Sequence, residues 1–397
     1  MNTLLTGIFP RAGGLEASRS VKSTFTLAVL ALLTGVGVAA GIHALIVGHE
    51  HTFGVSRNVP WGILIATYVF FVVTSTGLCI VSSIGHVFGF KNFHPIAKRA
   101  VFLSIVNIST GFLVIAFEIE NTWRMPVGNV IGANLTSNIW WMGTLYGIYL
   151  VLMILEFIML QKERHGTAAA FGLAVLLTGI AANSNLGAIF GLLNGQEFWY
   201  GPYMPIYFVT SAAMSGCIAI IFFTNIAYKF NGWQMNEEMR RSLESVAKLG
   251  ALMLSIILFF TFWRTLAGIT GSAPGKHEAI MLLLSGDYAF NFWVGEMLLG
   301  LALPLAIILL VRGRNMNGLF VATLIAMVGI FFMRYDLVIV GQLVPPYHGM
   351  GLVDYPEFFT YAPTLHEQLV VIGGVAFCSL FFLLGEKLFR GHVAEQH

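Results

Sequence analysis

The sequence predicts an all-α integral membrane protein of about ten transmembrane helices, and three observations carry that prediction. Of the 397 residues, 57% are hydrophobic and only 10% charged, where a soluble domain carries about 25% charged residues. The apolar residues gather in windows of 20 or more with few charges, each long enough to cross a hydrocarbon core of about 30 Å as a helix; barrel strands are shorter and alternate. The basic residues, finally, sort by loop parity. Sixteen of the 21 Lys and Arg fall in the N-terminus, the even-numbered loops and the C-terminus, which by the positive-inside rule predicts that both termini are cytoplasmic.

Polar, Gly and Pro interruptions bound helices α1 to α10 at 25–47, 61–86, 97–118, 139–161, 168–190, 205–228, 247–268, 288–311, 318–340 and 366–388. Arg11, Arg19 and Lys22 precede α1 as they would a signal peptide, but its apolar run is too long for one, so it is read as a membrane helix. The resulting organisation is a cytoplasmic segment 1–24, a membrane domain 25–388 and a cytoplasmic tail 389–397. Within the domain, α2–α5 and α6–α9 are expected to form two four-helix bundles, with α1 and α10 as extra helices. Cys79, Cys217 and Cys378 each stand alone inside a span with no CxxC spacing, so no zinc site, cluster or disulfide framework is expected. A net charge of +2 implies no nucleic-acid partner. The expected location is a bacterial or archaeal cytoplasmic (inner) membrane.

The outer connections at 121–138, 199–205, 265–287 and 334–366 are rich in Gly, Pro, Trp and Tyr. They suit an extracytoplasmic docking platform, the plainer alternative being aromatic anchoring at the membrane interface.

An ionisable side chain at membrane depth is expensive, so each is a functional candidate. Glu118 and Glu120 close α3 in the segment FEIENTWRM, followed by Trp123 and Arg124. A carboxylate, a cation and an indole there suit a quinol: the ring stacks on Trp123 while Glu118 or Glu120 takes a hydroxyl proton. His43, near the outer end of α1, is a second proton partner. Trp61, opening α2, and Tyr146 in α4 complete the expected quinone contacts. Arg264, Asp287, Glu296, Arg334 and Asp336 form a second group toward the outer ends of α7 to α9, where three carboxylates could pair with two guanidinium groups. With Glu118 these are the candidate proton-transfer residues, although pairing alone would also make such a cluster tolerable. Glu156, Glu386 and Lys387, near inner helix ends, need no role beyond snorkelling or local pairing. Axial histidines at matching depth on facing helices are not evident, so no haem and no metal are expected, with His43 and His366 the one pair of similar depth.

The chain resembles the NrfD/polysulfide-reductase (PsrC) membrane subunits, in particular the ten-helix HybB-type and DsrP-type branch. The resemblance rests on Pro60, Trp61 and Gly62 opening α2, on HPIAKRA at 94–100, and on the acidic turn ending at Trp123. It continues through SGDYAFNFWVGE at 285–296, Arg334 in α9 and PTLHEQLV at 363–370. It implies a subunit without a resident cofactor that binds menaquinone or ubiquinone near the outer face. It also implies an extracytoplasmic ferredoxin-like iron-sulfur partner and, through it, a catalytic subunit or multihaem cytochrome. Glu118 falls where the family places an acidic or histidine side chain at its quinone pocket. The sequence departs at Glu120 and Asn121, where relatives often read Gly-Arg, and at Asn183, Ser184 and Asn185, where the hydrogenase branch reads His-Gln-Ser-Ser. The function expected is therefore a quinone-interacting membrane anchor of a respiratory oxidoreductase, with proton translocation as a further expectation. A secondary transporter, which would place ionisable groups and broken helices at the midplane, and a purely structural anchor are the competing readings.

Overall fold

The computed structural model describes residues 21–122, 124–271, 273–348, 350 and 356–389. Ten helices are long and apolar enough to cross a membrane, and no strand occurs among the described residues. They are α1 Val21–Val47, α2 Ile63–His86, α3 His94–Glu118, α4 Asn138–Gln161, α5 His165–Gly191, α6 Tyr203–Asn231, α7 Glu237–Thr270, α8 Asn291–Leu310, α9 Met316–Leu343 and α10 Leu365–Phe389. Each lies within a few residues of its predicted range except α7. That helix begins ten residues earlier, because its first turns, EEMRRSLESV, carry too many charges to register as a span yet are capped by Asn236, whose side chain accepts from the Met239 N–H at 2.9 Å. The expected docking loops are partly helical, with short helices at Arg124–Ile131 and Lys276–Leu284.

Helix packing divides the spans as expected. α2 packs on α3 and α5, and α4 on α5 and α3, closing one four-helix bundle; α6 to α9 close a second. α1 pairs with α10, and the pair leans on the first bundle, chiefly against α3. α2 is the pivot, touching α6 and α9 across the bundle boundary. Its most apolar stretch is 89% buried, against 17% for α1 at the edge. Lys387 Nζ donates to Ser23 Oγ at 3.1 Å, so the start of α1 and the end of α10 lie together on one side. This side is called the terminal face, and the opposite one the loop face.

The two bundles meet backbone to backbone. A Cβ on Gly77 of α2 would collide with the Ala212 carbonyl and the Gly216 amide of α6, and one on Gly216 would strike Gly77. Small residues at such a crossing let helices in lipid gain van der Waals contact and close approach. Val at either position is expected to force the bundles apart at a cost of about 1–3 kcal/mol or more, visible as aggregation or degradation on detergent extraction. Gly35→Val, at a position with nothing within 4 Å, is the neutral control.

α8 opens with a π-helical stretch, Asn291–Ala302, in which hydrogen bonds skip one residue further than in an α-helix. Pro304 has no N–H to give the preceding turn and marks the return to α geometry. Such wide turns re-aim side chains and recur at functional sites; here the stretch carries Glu296, 1% exposed, into the second bundle.

Candidate functional site

At the loop face the end of α3 meets the starts of α2 and α10. Glu118 is the last residue of α3 and half-buried. Its Oε2 is buried without a protein hydrogen-bond partner, while the Gly62 backbone amide faces its carboxylate and Glu367 is a near neighbour. Glu367 itself is fully buried. It accepts from the Gly54 N–H at 2.9 Å, the Thr364 N–H at 2.8 Å and the Tyr361 hydroxyl at 2.6 Å. Tyr361 in turn accepts from the Ile63 N–H at 2.8 Å. Burial, with the Glu367 carboxylate beside it, pushes the Tyr361 phenol well above its ordinary pKa. Gly62 has to be glycine, since a Cβ there would stand 2.7 Å from both Glu367 and Tyr361. The result is a pair of neighbouring carboxylates of unequal kind: Glu367 is saturated by donors, and Glu118 keeps one buried oxygen free to accept.

The other expected members of this site are distributed around it. Glu120 is exposed and faces the buried His49 of the short helix His49–Thr52. Burial lowers the His49 pKa against the opposing pull of Glu120. Arg124 is exposed at the start of its short helix, and Trp123 lies outside the described residues. His43 stacks on His366 with ring centroids 5.1 Å apart and an N···N distance of 3.1 Å, linking α1 to α10. Trp61 is fixed by Gln342, which accepts from its N–H at 3.0 Å and donates to its carbonyl at 2.9 Å. Its ring packs on Phe190 and Trp199, beneath the Gly62 turn. Tyr146 is not at this face; it is fully buried in the interior, its hydroxyl 3.5 Å from Asn183 Oδ1.

The second group of charges does converge, with one exception. Arg264 Nη2 donates to Glu296 Oε1 at 3.2 Å. Arg334, at 0% exposure, bonds Ser211 Oγ at 2.9 Å rather than a carboxylate, and Asp336 accepts from Asn291 Nδ2 at 3.3 Å. Asp287 is exposed and stands apart from these four. The expected pairing of three carboxylates with two guanidinium groups thus reduces to one ion pair. Several buried polar atoms here have no protein partner: Glu296 Oε2, Asp336 Oδ2, Arg334 Nε and Nη1, and the Tyr203 and Tyr207 hydroxyls. They make a buried polar cluster whose unpaired atoms are ones that ordered water would satisfy.

Glu367 and Tyr361 are not among the residues expected from sequence, although a signal for the first exists there. TLHE at 364–367 has the Thr-x-x-Glu spacing of a capping box, and the structure shows the reciprocal bonds of one, at 2.8 and 3.4 Å. Among the described residues no group of three or more His, Cys, Asp or Glu side chains is placed to hold a metal ion.

Fold and site together define a ten-span helical membrane protein with an acidic site at the loop face and a buried charge cluster between its helices. The chain belongs to the NrfD family: the family profile described as Polysulphide reductase, NrfD matches residues 51–346. It is 27% identical, over 91% of its length and 92% of the relative's, to the Hdr-like menaquinol oxidoreductase integral membrane subunit of Archaeoglobus fulgidus. It is 24% identical to a subunit of the selenate reductase of Mesobacillus selenatarsenatis, covering 83% of this chain and 85% of that one. It is 23% identical to the probable Ni/Fe-hydrogenase 2 b-type cytochrome subunit of Escherichia coli, covering 92% and 90%.

Proposed function

We propose that this chain is the quinone-exchanging membrane subunit of a respiratory oxidoreductase, binding the quinone head group at the loop face beside Glu118. The observation that carries this reading is the buried, unpartnered Glu118 Oε2 next to a donor-saturated Glu367. Oxidation of a quinol releases two electrons and two protons, so the site needs a base that is dry, adjacent to the ring and free to accept. Glu118 offers a buried oxygen free to accept, and Glu120 and the His43–His366 pair are further proton carriers of the loop face. The electrons pass to an extracytoplasmic ferredoxin-like iron-sulfur subunit docked on the loop-face helices and thence to a catalytic subunit or multihaem cytochrome. Both termini are cytoplasmic in this reading. The menaquinol oxidoreductase relative, matched nearly end to end, supports menaquinone over a transported solute. The Arg264, Glu296, Arg334 and Asp336 cluster is the candidate route for protons through the second bundle.

Mild detergent extraction of the native protein, with mass spectrometry of co-purifying subunits, solvent extraction of quinone and an absorption spectrum, tests the reading. An iron-sulfur protein and menaquinone or ubiquinone are expected to accompany the chain, with no haem absorbance attributable to it. A lone chain without quinone would point to the transporter instead.

A further inference from the structure

A second line of polar groups runs through the first bundle toward the terminal face. α2 carries Ser75, Cys79, Ser83 and His86, and α4 carries Tyr146, Tyr149 and Glu156. Residues three, four, seven or eleven apart share one face of a helix, so each set is a single stripe along its span. The stripes face one another. The Tyr149 hydroxyl lies 3.3 Å from Ser75 Oγ, Cys79 sits between Tyr149 and Ser83, and His86 Nε2 is 2.6 Å from Glu156 Oε1. Both members of that last pair are buried, with side-chain exposures of 6% and 1%. α5 leaves room for them: a Cβ on Gly172 would run into His86 and Glu156, and one on Gly179 would stand 2.7 Å from the Tyr149 ring. At its other end the line reaches Tyr146, whose ring centroid lies 6.3 Å from that of Tyr149 and whose hydroxyl lies 3.5 Å from Asn183 Oδ1 of α5.

The His86–Glu156 contact has a defined proton count. His86 Nδ1 lies 2.8 Å from the Ser82 carbonyl, which can only accept, so Nδ1 carries a hydrogen. Nε2 and Oε1 approach to 2.6 Å off the line of a hydrogen bond, and two lone pairs brought that close need one further proton, held on either atom. Moving that proton between them exchanges an ion pair for a neutral pair without changing the net charge buried, so the exchange avoids the cost of an isolated buried ion. A clamp joining α2 to α4 would need this pair but not the stripe of hydroxyl, thiol and phenol groups above it.

We propose that α2, α4 and α5 enclose a proton path from Tyr146 to the terminal face, with His86 and Glu156 as its terminal-side relay. The path rests on the quinone reading above for the reaction that drives it. The test uses the whole complex in sealed vesicles with a pH-sensitive dye inside, driven by a quinol analogue and a soluble acceptor. The double variant H86Q/E156Q keeps two hydrogen-bonding groups but no transferable proton. It is expected to turn over normally in leaky vesicles and, in sealed ones, to lose all proton movement beyond that released by quinone chemistry. An unchanged proton count overturns the path. Infrared spectra of the purified chain on transfer to D2O give a readout that needs no quinone. The band assigned to the pair, by its loss in H86Q/E156Q, is expected to exchange on mixing, and a band that stays unexchanged for hours overturns the relay even if the quinone reading fails separately.

Discussion

Glu118→Gln is expected to leave an assembled complex whose electron exchange with quinone is slowed by at least about a hundredfold. The amide matches the carboxylate in size and keeps a group facing the Gly62 amide, but it cannot take a proton from a quinol hydroxyl. General-base contributions run to about 10²–10⁴-fold, so quinone-linked turnover should fall by at least about a hundredfold. Reduction of the proposed iron-sulfur partner by artificial dyes should be unaffected, because that reaction bypasses the site. Glu120→Gln, at an exposed position, provides the contrast and should retain most activity. Normal quinone turnover by Glu118→Gln would remove this side chain from the chemistry and return the loop-face site to a structural role.

How much of this is legible in the sequence follows from which forces act along the chain and which act across it. The ten spans are readable because hydropathy over about 20 residues is a local property, and the division into two bundles follows chain order. Glu118, Glu296, Arg334 and Asp336 are readable as expensive residues at membrane depth. Their partners are not. Arg334 finds Ser211 and Glu367 finds Tyr361 and Gly54 through tertiary packing, at separations of 123 residues for the first and 313 for the Gly54 contact. Asp287 and Asp336 look alike in sequence, yet only one is turned inward. The π-helical start of α8 shifts the facing of every residue after Asn291, so an α-helical wheel cannot place Glu296. Helix ends near the terminal face hide their packing for the same reason. Glu156 and Glu386 read as snorkelling or locally paired groups, and both are members of buried pairs between different helices.

The Glu386 pair yields the second large effect. Arg99 donates to it through Nε at 2.7 Å and Nη2 at 2.9 Å, a bidentate contact with both side chains at most 1% exposed. It joins the start of α3 to the end of α10, the helix whose other end carries Glu367. The α1/α10 pair leans on the first bundle mainly through α3, so these two buried carboxylates pin α10 at opposite membrane faces. Removing one partner strands a charge away from water, which costs about 3–5 kcal/mol, whereas replacing both by apolar groups of similar volume is close to neutral. Arg99→Met and Glu386→Leu are therefore each expected to lower thermal stability in detergent sharply, and the double variant to recover most of the loss. Arg99→Lys should rescue only in part, since an ammonium group cannot match the two-pronged geometry. The coupling between the two sites is read from the four-member cycle. Additive losses would mean that α10 is held by its apolar packing alone. In that case the loop-face carboxylates should keep their arrangement, and the single variants should retain wild-type quinone turnover at temperatures where they remain folded.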